Sequence, residues 1–398
     1  MNKKIIFHID VNSAFLSWSA IRELERGRKE DLREVPSIVG GDIKKRRGVV
    51  LAKSIPAKAY GIVTGEPVVY ALKKCPGLVS VPPDHSYYHE KSRQLMEYLM
   101  MICPDIEQVS VDECYMDYTS VRRRYGAPEK AAHYIKDSIF DRFSYTVNIG
   151  VSDKKVLAKM ASDFKKPNLV HTLYTEEIQE KMWPLPISDL FMCGRRTAEK
   201  LKQFGIYTIG DLAMADPLLI DTHFKKHGRM LHRYANGEDD AVVNVTPSRA
   251  KGVGNSTTLS IDVKDRAGAE QVLFALARKV SERLKKARMR AGGVSVEIKY
   301  SSFQTVSHQR MMDRSSSGAE EIYREACHLF EELWNGDPIR LLGSRTMKLM
   351  DEDAPVQMTI FDYQKAKPKL DKQRKLEEAM RQIRQKYGED AVTKGSKK

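Results

Sequence analysis

Apolar and polar positions along the chain fall into blocks whose period changes, and each period predicts an element. Residues 4–11, "KIIFHIDV", read as a short buried strand ending at Asp10. A turn-rich, lysine-dotted stretch follows to about Pro83. From His89 to Ile102 the positions of Leu95, Tyr98, Leu99 and Ile102 predict a helix. "QVSVDECYMDYT" (Gln108–Thr119) has the branched and aromatic content of a strand. A helix around 128–142 comes next, then the strand "YTVNIGVS" and the helix "DKKVLAKMASDFKK". Val156, Leu157, Met160, Ala161 and Phe164 give that last helix one apolar face; Ser152 is placed to cap it and Pro167 to stop it.

The second half changes character. A small helical region spans about 172–240, and a loop with Pro247, Gly252 and Gly254 reads as a linker. Residues 252–349 then repeat a strand–helix–strand–strand–helix–strand order. In "GVSVEIKYS" the apolar Val294, Val296, Ile298 and Tyr300 alternate with polar residues, which predicts a strand with one wet face. Beyond Met350 the chain is polar and is expected to be largely unpacked.

Composition narrows the class. A chain of 398 residues exceeds one ordinary core and favours two to four domains. Lys and Arg outnumber Asp and Glu by 67 to 53, a net +14 that suits an anionic partner such as nucleic acid. Cys75, Cys103, Cys114, Cys193 and Cys327 are odd in number and include no Cys-x-x-Cys pair, which argues against a disulfide framework or zinc module and for a reducing cytoplasm. The first apolar run breaks at His8 and Asp10, too early for a signal peptide, and no apolar stretch reaches the roughly 18 residues of a membrane span. No Walker-type loop suggests an ATPase or helicase.

Asp112 and Glu113 raise the chemical question. Two adjacent carboxylates in a half-buried strand lose hydration and repel each other, so something must neutralise them. In a split βαββαβ domain their strand can neighbour the one ending at Asp10, gathering three carboxylates. Oxygen donors without His or Cys select hard cations such as Mg²⁺ or Mn²⁺, and a pair of such ions is the standard device of phosphoryl transfer. Adjacent strand residues face opposite ways, so the cluster requires a hairpin or strand end at Asp112. The alternative is an exposed edge strand carrying two solvated acids.

"FHIDVNSAFLS" (7–17), "VSVDECYMDYT" (109–119) and "IGVSDKKVLAKMASDFKKP" (149–167) resemble three successive signatures of the Y-family, or translesion, DNA polymerases, over about residues 4–350. The resemblance implies an α+β multidomain fold. Its parts would be a ferredoxin-like palm from 1–11 and 84–171, small fingers at 12–83, and a helical thumb with a helix-hairpin-helix at 172–240. A linker at 241–249, a DNA-binding βαββαβ little finger at 250–349 and a tail at 350–398 would follow. It implies template-directed, error-prone addition of dNTPs to a primer end in DNA repair. Asp10, Asp112 and Glu113, with the Val11 carbonyl, would hold two Mg²⁺ ions. Phe15 falls at the steric gate under the incoming sugar, beside Ala14, and Lys58 and Lys166 fall at triphosphate contacts. Ile55-Pro56 departs from the family's usual Tyr-Glu.

"LFMCGRRTAEKLKQFGIYTIGDL" resembles a helix-hairpin-helix with Met192 in place of its first glycine and Gly194 retained. The resemblance implies phosphate contacts by Gly194, Arg195 and Arg196, and the basic helix "RKVSERLKKARMR" offers Lys285, Lys286 and Arg288. "QMTIFD" resembles the peptide by which bacterial polymerases grip the sliding clamp, with Gln357, Met358, Ile360 and Phe361 as anchors. Residues 363–398 hold twelve Lys/Arg and five Asp/Glu, and read as a solvated, partly disordered tail, with a docking helix as the alternative. Primer-template DNA, dNTP and clamp are the expected partners of a monomer. Two other readings stand beside this one: a catalytically inactive, polymerase-like protein that binds DNA and clamp, and a nucleotide cyclase suggested by "GGD" at 40–42.

Overall fold

The computed structural model describes residues 4–42, 48–246, 249–355 and 360–388, with backbone alone for 360–373. It divides into two compact units that meet in sequence at Arg249 and Ala250.

In the first unit β1 (Ile6–Val11) runs into α1 (Ala14–Glu25) through a turn with Ser13 in the left-handed region, φ 47°. The Asn12 side chain fixes this turn, donating to Asn148 Oδ1 at 3.1 Å and accepting from the Asn168 amide at 2.9 Å. β2 (Ser37–Gly40), β3 (Val50–Lys53) and β4 (Val79–Val81) form a small sheet in the order β3-β2-β4, with α2 (Ile55–Ala59) and α3 (Val68–Lys74) between β3 and β4. Ser54 caps α2 by accepting from the Ala57 amide at 3.1 Å. α4 (His85–Ile102) starts where Asp84 accepts from the Tyr87 amide and ends before Pro104.

β5 (Ile106–Gln108) and β6 (Glu113–Asp117) form a hairpin, followed by the short α5 (Arg122–Tyr125) and by α6 (Pro128–Phe143), which opens on a proline and closes at Ser144 with φ 59°. β7 (Val147–Ser152), α7 (Lys155–Asp163) and β8 (Val170–Thr172) complete a five-stranded sheet in the order β5-β6-β1-β7-β8. Its core joins Phe7, Ile9, Val147 and Ile149 to Leu95 and Leu99 of α4 and Ile135 and Ile139 of α6. α7 covers the other face through small residues, while its Val156, Leu157, Met160 and Ala161 pack on a helical segment of α8 (Ile178–Lys181), α9 (Arg195–Lys202), α10 (Ile209–Met214) and α11 (Pro217–Ala235). Ser152 does not cap α7, contrary to expectation. The helix begins three residues later, and the Ser152 hydroxyl is drawn instead to the Leu173 carbonyl oxygen at 2.5 Å.

The segment leaving α11 lies against this unit. Asp239 Oδ2 accepts from the Val156 amide at 3.0 Å at the start of α7. Glu107 of β5 accepts from the Lys155 ammonium and from the Asn244 amide, each at 2.6 Å.

The second unit is built from β9 (Gly252–Val263), α12 (Arg266–Lys286), β10 (Met289–Tyr300), β11 (Thr305–Ser316), α13 (Ala319–Leu333) and β12 (Ile339–Asp351). Its sheet has the order β11-β10-β12-β9, all antiparallel. Val294, Val296 and Ile298 point into a core with Leu273, Leu276, Val280, Ile322 and Phe330 of the two helices, so the alternation in β10 places its apolar side inward. The tail corrects one expectation: α14 (Ile360–Tyr387) is helical. Leu376, Glu377, Glu378, Ala379, Met380, Arg381 and Gln382 are strong helix formers, and the backbone follows them. Leu376, Ile383 and Tyr387 remain exposed on it.

Candidate active site

The puzzle of adjacent carboxylates has a local answer. The stretch Gln108–Thr119 is not one strand; it turns over between β5 and β6. Asp112 sits in that turn and Glu113 is the first residue of β6, paired in register with Asp10 of β1. The Val11 amide donates to the Asp112 carbonyl oxygen at 3.0 Å, so the turn is fastened to the end of β1. Directly opposed antiparallel residues lie on one face of a sheet, which sets Asp10 and Glu113 side by side.

Each carboxylate has an internal partner. Asp10, 9% exposed, is held by the Lys166 ammonium, which also lies 2.9 Å from Asp163 Oδ1. Glu113 Oε2 accepts from Lys159 Nζ at 2.9 Å and lies 3.3 Å from Nε2 of the fully buried His8. Asp112 Oδ1 accepts from the Ser110 hydroxyl at 2.5 Å. The electrostatics follow these contacts. His8 and Lys159 hold the Glu113 carboxyl down to about 2, against burial. Burial, reinforced by the Asp10 and Glu113 charges, pushes the Asp112 carboxyl above the ordinary range despite its hydrogen bond from Ser110. Burial alone would lower Lys166, but Asp10 and Asp163 raise it above the usual lysine value.

Asp10 and Asp112 stand at the edge of a cleft of about 800 Å³, also lined by Val11, Ala14, Phe15, Lys58 and Lys166. Ala14 is buried, and the half-buried Phe15 ring stacks on Tyr88 with centroids 4.5 Å apart. Lys58 is exposed on α2. The cleft lining also includes Arg33, Lys53 and Thr64, which the sequence motifs did not point to. Arg33 and Lys53 lie in the lysine-dotted stretch without a motif of their own, and only their place in the cleft lining singles them out. Glu113 does not line the cleft; its carboxylate turns to His8 and Lys159.

Among the described residues no three His, Cys, Asp or Glu side chains are gathered as a finished metal cage. The donor set nevertheless fits hard divalent cations. It is all oxygen, it is buried enough to need countercharge, and the Lys166 ammonium on Asp10 already occupies the place of a cation.

The other predicted residues lie outside this cleft. Gly194 precedes α9 with φ −69°, and Met192 takes the left-handed conformation at φ 69° that a glycine adopts without strain. Arg195 and Arg196 are exposed, Arg195 pairing with Glu199 at 2.8 Å. In the second unit Lys285, Lys286 and Arg288 are exposed; Lys285 lies 3.8 Å from Glu377 and Arg288 3.3 Å from Asp353. Gln357 and Met358 lie outside the described residues, and Ile360 and Phe361 fall where the backbone alone is described.

A Y-family DNA polymerase chimera of known structure superposes with a TM-score of 0.76 at 20% identity, covering 87% of this chain and 99% of its own; the fold is that of a Y-family polymerase. Residues 9–163 match the impB/mucB/samB family, 175–206 the IMS family HHH motif, and 250–360 the impB/mucB/samB family C-terminal domain, which begins where the second unit does. A DNA polymerase IV of Clostridium acetobutylicum is 42% identical over 98% of this chain and 97% of its own length. DNA polymerase IV 1 of Bacillus subtilis is 35% identical over 99% and 93%. This chain belongs to the impB/mucB/samB family, the family of these DNA polymerases IV.

Proposed function

We propose that this protein is a template-directed DNA polymerase of the error-prone translesion type, adding dNTPs to a primer 3′ end. The observation that carries the reading is the junction of β1 with the β5–β6 turn, where Asp10 faces Glu113 and Asp112 is tied to Val11 beside a cleft with basic walls. Asp10, Asp112, Glu113 and the Val11 carbonyl would hold two Mg²⁺ ions, with Mn²⁺ as a substitute. Bound there, such ions lower the pKa of a primer hydroxyl and neutralise charge on the triphosphate and departing pyrophosphate.

The chain's own side chains do the remaining work. Phe15, braced on Tyr88, packs under the sugar, where a 2′-hydroxyl would clash or lose its hydration unpaired. Lys58 and Lys166 draw the triphosphate into the cleft. Gly194, Arg195, Arg196, Lys285, Lys286 and Arg288 hold phosphates of primer-template DNA, without reading sequence. We assign palm, fingers, thumb, linker and little finger to the ranges given above, and clamp binding to Gln357, Met358, Ile360 and Phe361. No helix among the described residues is long and apolar enough to cross a membrane; a monomer working in the cytoplasm completes the proposal.

The test is primer extension with Mg²⁺ on intact and damaged templates. The wild type should extend both. Asp112→Ala should bind DNA as well as wild type and lose nucleotide addition by about 10³-fold or more. Extension by that variant at near wild-type rate would refute the assignment.

A further inference from the structure

Four basic side chains line the cleft, Arg33, Lys53, Lys58 and Lys166, and they are not equivalent. Two are committed within the protein. Arg33 Nε donates to both carboxylate oxygens of Asp31 at 3.0 Å, and its Nη1 donates to the Ser144 carbonyl oxygen at 2.5 Å. Lys166 is shared between Asp10 and Asp163. Among the described residues, the Lys53 and Lys58 ammonium groups have no ion pair or hydrogen bond.

Lys53 is the last residue of β3, half-buried, and Ser54 follows it into α2. The acid that acts on it, Glu66, is already engaged by Lys74 at 2.6 Å and by the Val63 amide at 3.0 Å. Burial, and then the charges of Lys58 and Lys74, pull the Lys53 ammonium below the ordinary lysine value. A half-buried ammonium beside a second one is a standing cost to the folded state unless an anion enters. The side chains that follow Lys53 offer such an anion little. The Ser54 hydroxyl accepts from Ala57 and Ser37 and donates to the Val35 carbonyl oxygen, and the Ile55 side chain, 65% exposed, carries no donor.

We infer that Lys53 is a phosphate-binding residue of the cleft, holding the triphosphate of the incoming nucleotide jointly with Lys58. This rests on the reading that the cleft takes a dNTP. Lys53 then supplies, from the strand, the donor that Ile55 lacks at the start of α2, and the two lysines are positioned to bind a polyanion as a pair of point charges.

Single-nucleotide incorporation by the full chain tests it, with Lys53→Ala and Lys53→Arg compared to wild type. Lys53→Ala should raise KM for dNTP about tenfold, the loss of one charge-assisted contact, with a smaller fall in kcat. Lys53→Arg should retain most of the affinity. Inorganic tripolyphosphate, used as a competitive inhibitor without sugar or base, should weaken on Lys53→Ala by a similar factor. DNA affinity should not change, and the thermal midpoint of Lys53→Ala should hold or rise, because the substitution removes an unpaired, half-buried charge. A KM within twofold of wild type overturns the inference while leaving the polymerase reading intact. A raised KM with unchanged tripolyphosphate inhibition also overturns it, since Lys53 would then serve sugar or base. Absence of incorporation by the wild type itself would instead defeat the polymerase reading.

Discussion

Gly150 of β7 lies directly under α7. A Cβ there would stand 1.9 Å from the Ala158 carbonyl oxygen and 2.5 Å from the Ser162 amide nitrogen, where ordinary contact begins near 3.4 Å. Both obstacles are backbone, so Gly150→Ala forces α7 away from the sheet by about 1.5 Å rather than bending a side chain aside. Overpacking of this kind costs about 3 kcal/mol, which in a unit of this size lowers Tm by roughly 6–12 °C. The displaced helix carries two groups of the site. Ser162 Oγ holds His8 Nδ1 at 2.8 Å and Lys159 holds Glu113 at 2.9 Å. Moving by about 1.5 Å takes the short serine out of hydrogen-bond reach, and a misplacement near 1 Å in a catalytic site costs about 10²-fold in rate. Thermal melting and single-nucleotide incorporation, measured together below the lowered Tm, read the two effects separately. Gly194→Ala is the control: no atom lies within 4 Å of its added Cβ, so stability should hold within about 0.5 kcal/mol. A Gly150→Ala protein that melts and incorporates like wild type would refute the claim that this contact positions α7.

Three further outcomes are expected. Phe15→Ala should raise ribonucleotide incorporation relative to dNTP, at a stability cost of about 2 kcal/mol for a half-buried ring; unchanged sugar selectivity would count against the gate. Met192→Gly should raise stability by about 1 kcal/mol in a melting experiment, because it removes a side chain from the left-handed region while the exposed methionine packs little. Replacing Gln357 and Phe361 by Ala should abolish stimulation by a sliding clamp and leave unstimulated extension within twofold, as measured on primed circular DNA.

Where the sequence was legible, periodicity and chemistry pointed the same way. The alternation of Val294, Val296 and Ile298 could belong only to a strand with one buried face, and the core of the second unit has that face inward. Asp112 and Glu113 were harder. Composition made their stretch a continuous strand, whereas local hydrogen bonding breaks it: the Val109 amide donates back to the Glu113 carbonyl oxygen at 3.1 Å. The pleat was the better guide, since adjacent strand residues face opposite ways and a cluster shared with Asp10 requires a turn at Asp112. Ser152 misled because a serine before a helix satisfies the capping pattern in sequence, while in space the Leu173 carbonyl, one residue past β8, takes its hydroxyl. Lys53 was invisible for a different reason. An unpaired lysine differs from a solvated one only through neighbours such as Glu66 and Lys74, whose pairing is a tertiary fact.

The moored stretch after α11 is tied to the first unit close to the candidate site. Glu107 stands on the strand that leads into the Asp112 turn, and it clasps both Lys155 and the Asn244 backbone. One carboxylate therefore ties together the hairpin that carries the acidic groups, the head of α7 and the backbone that follows α11. Removing the Glu107 carboxylate would loosen three segments of the first unit with a single substitution.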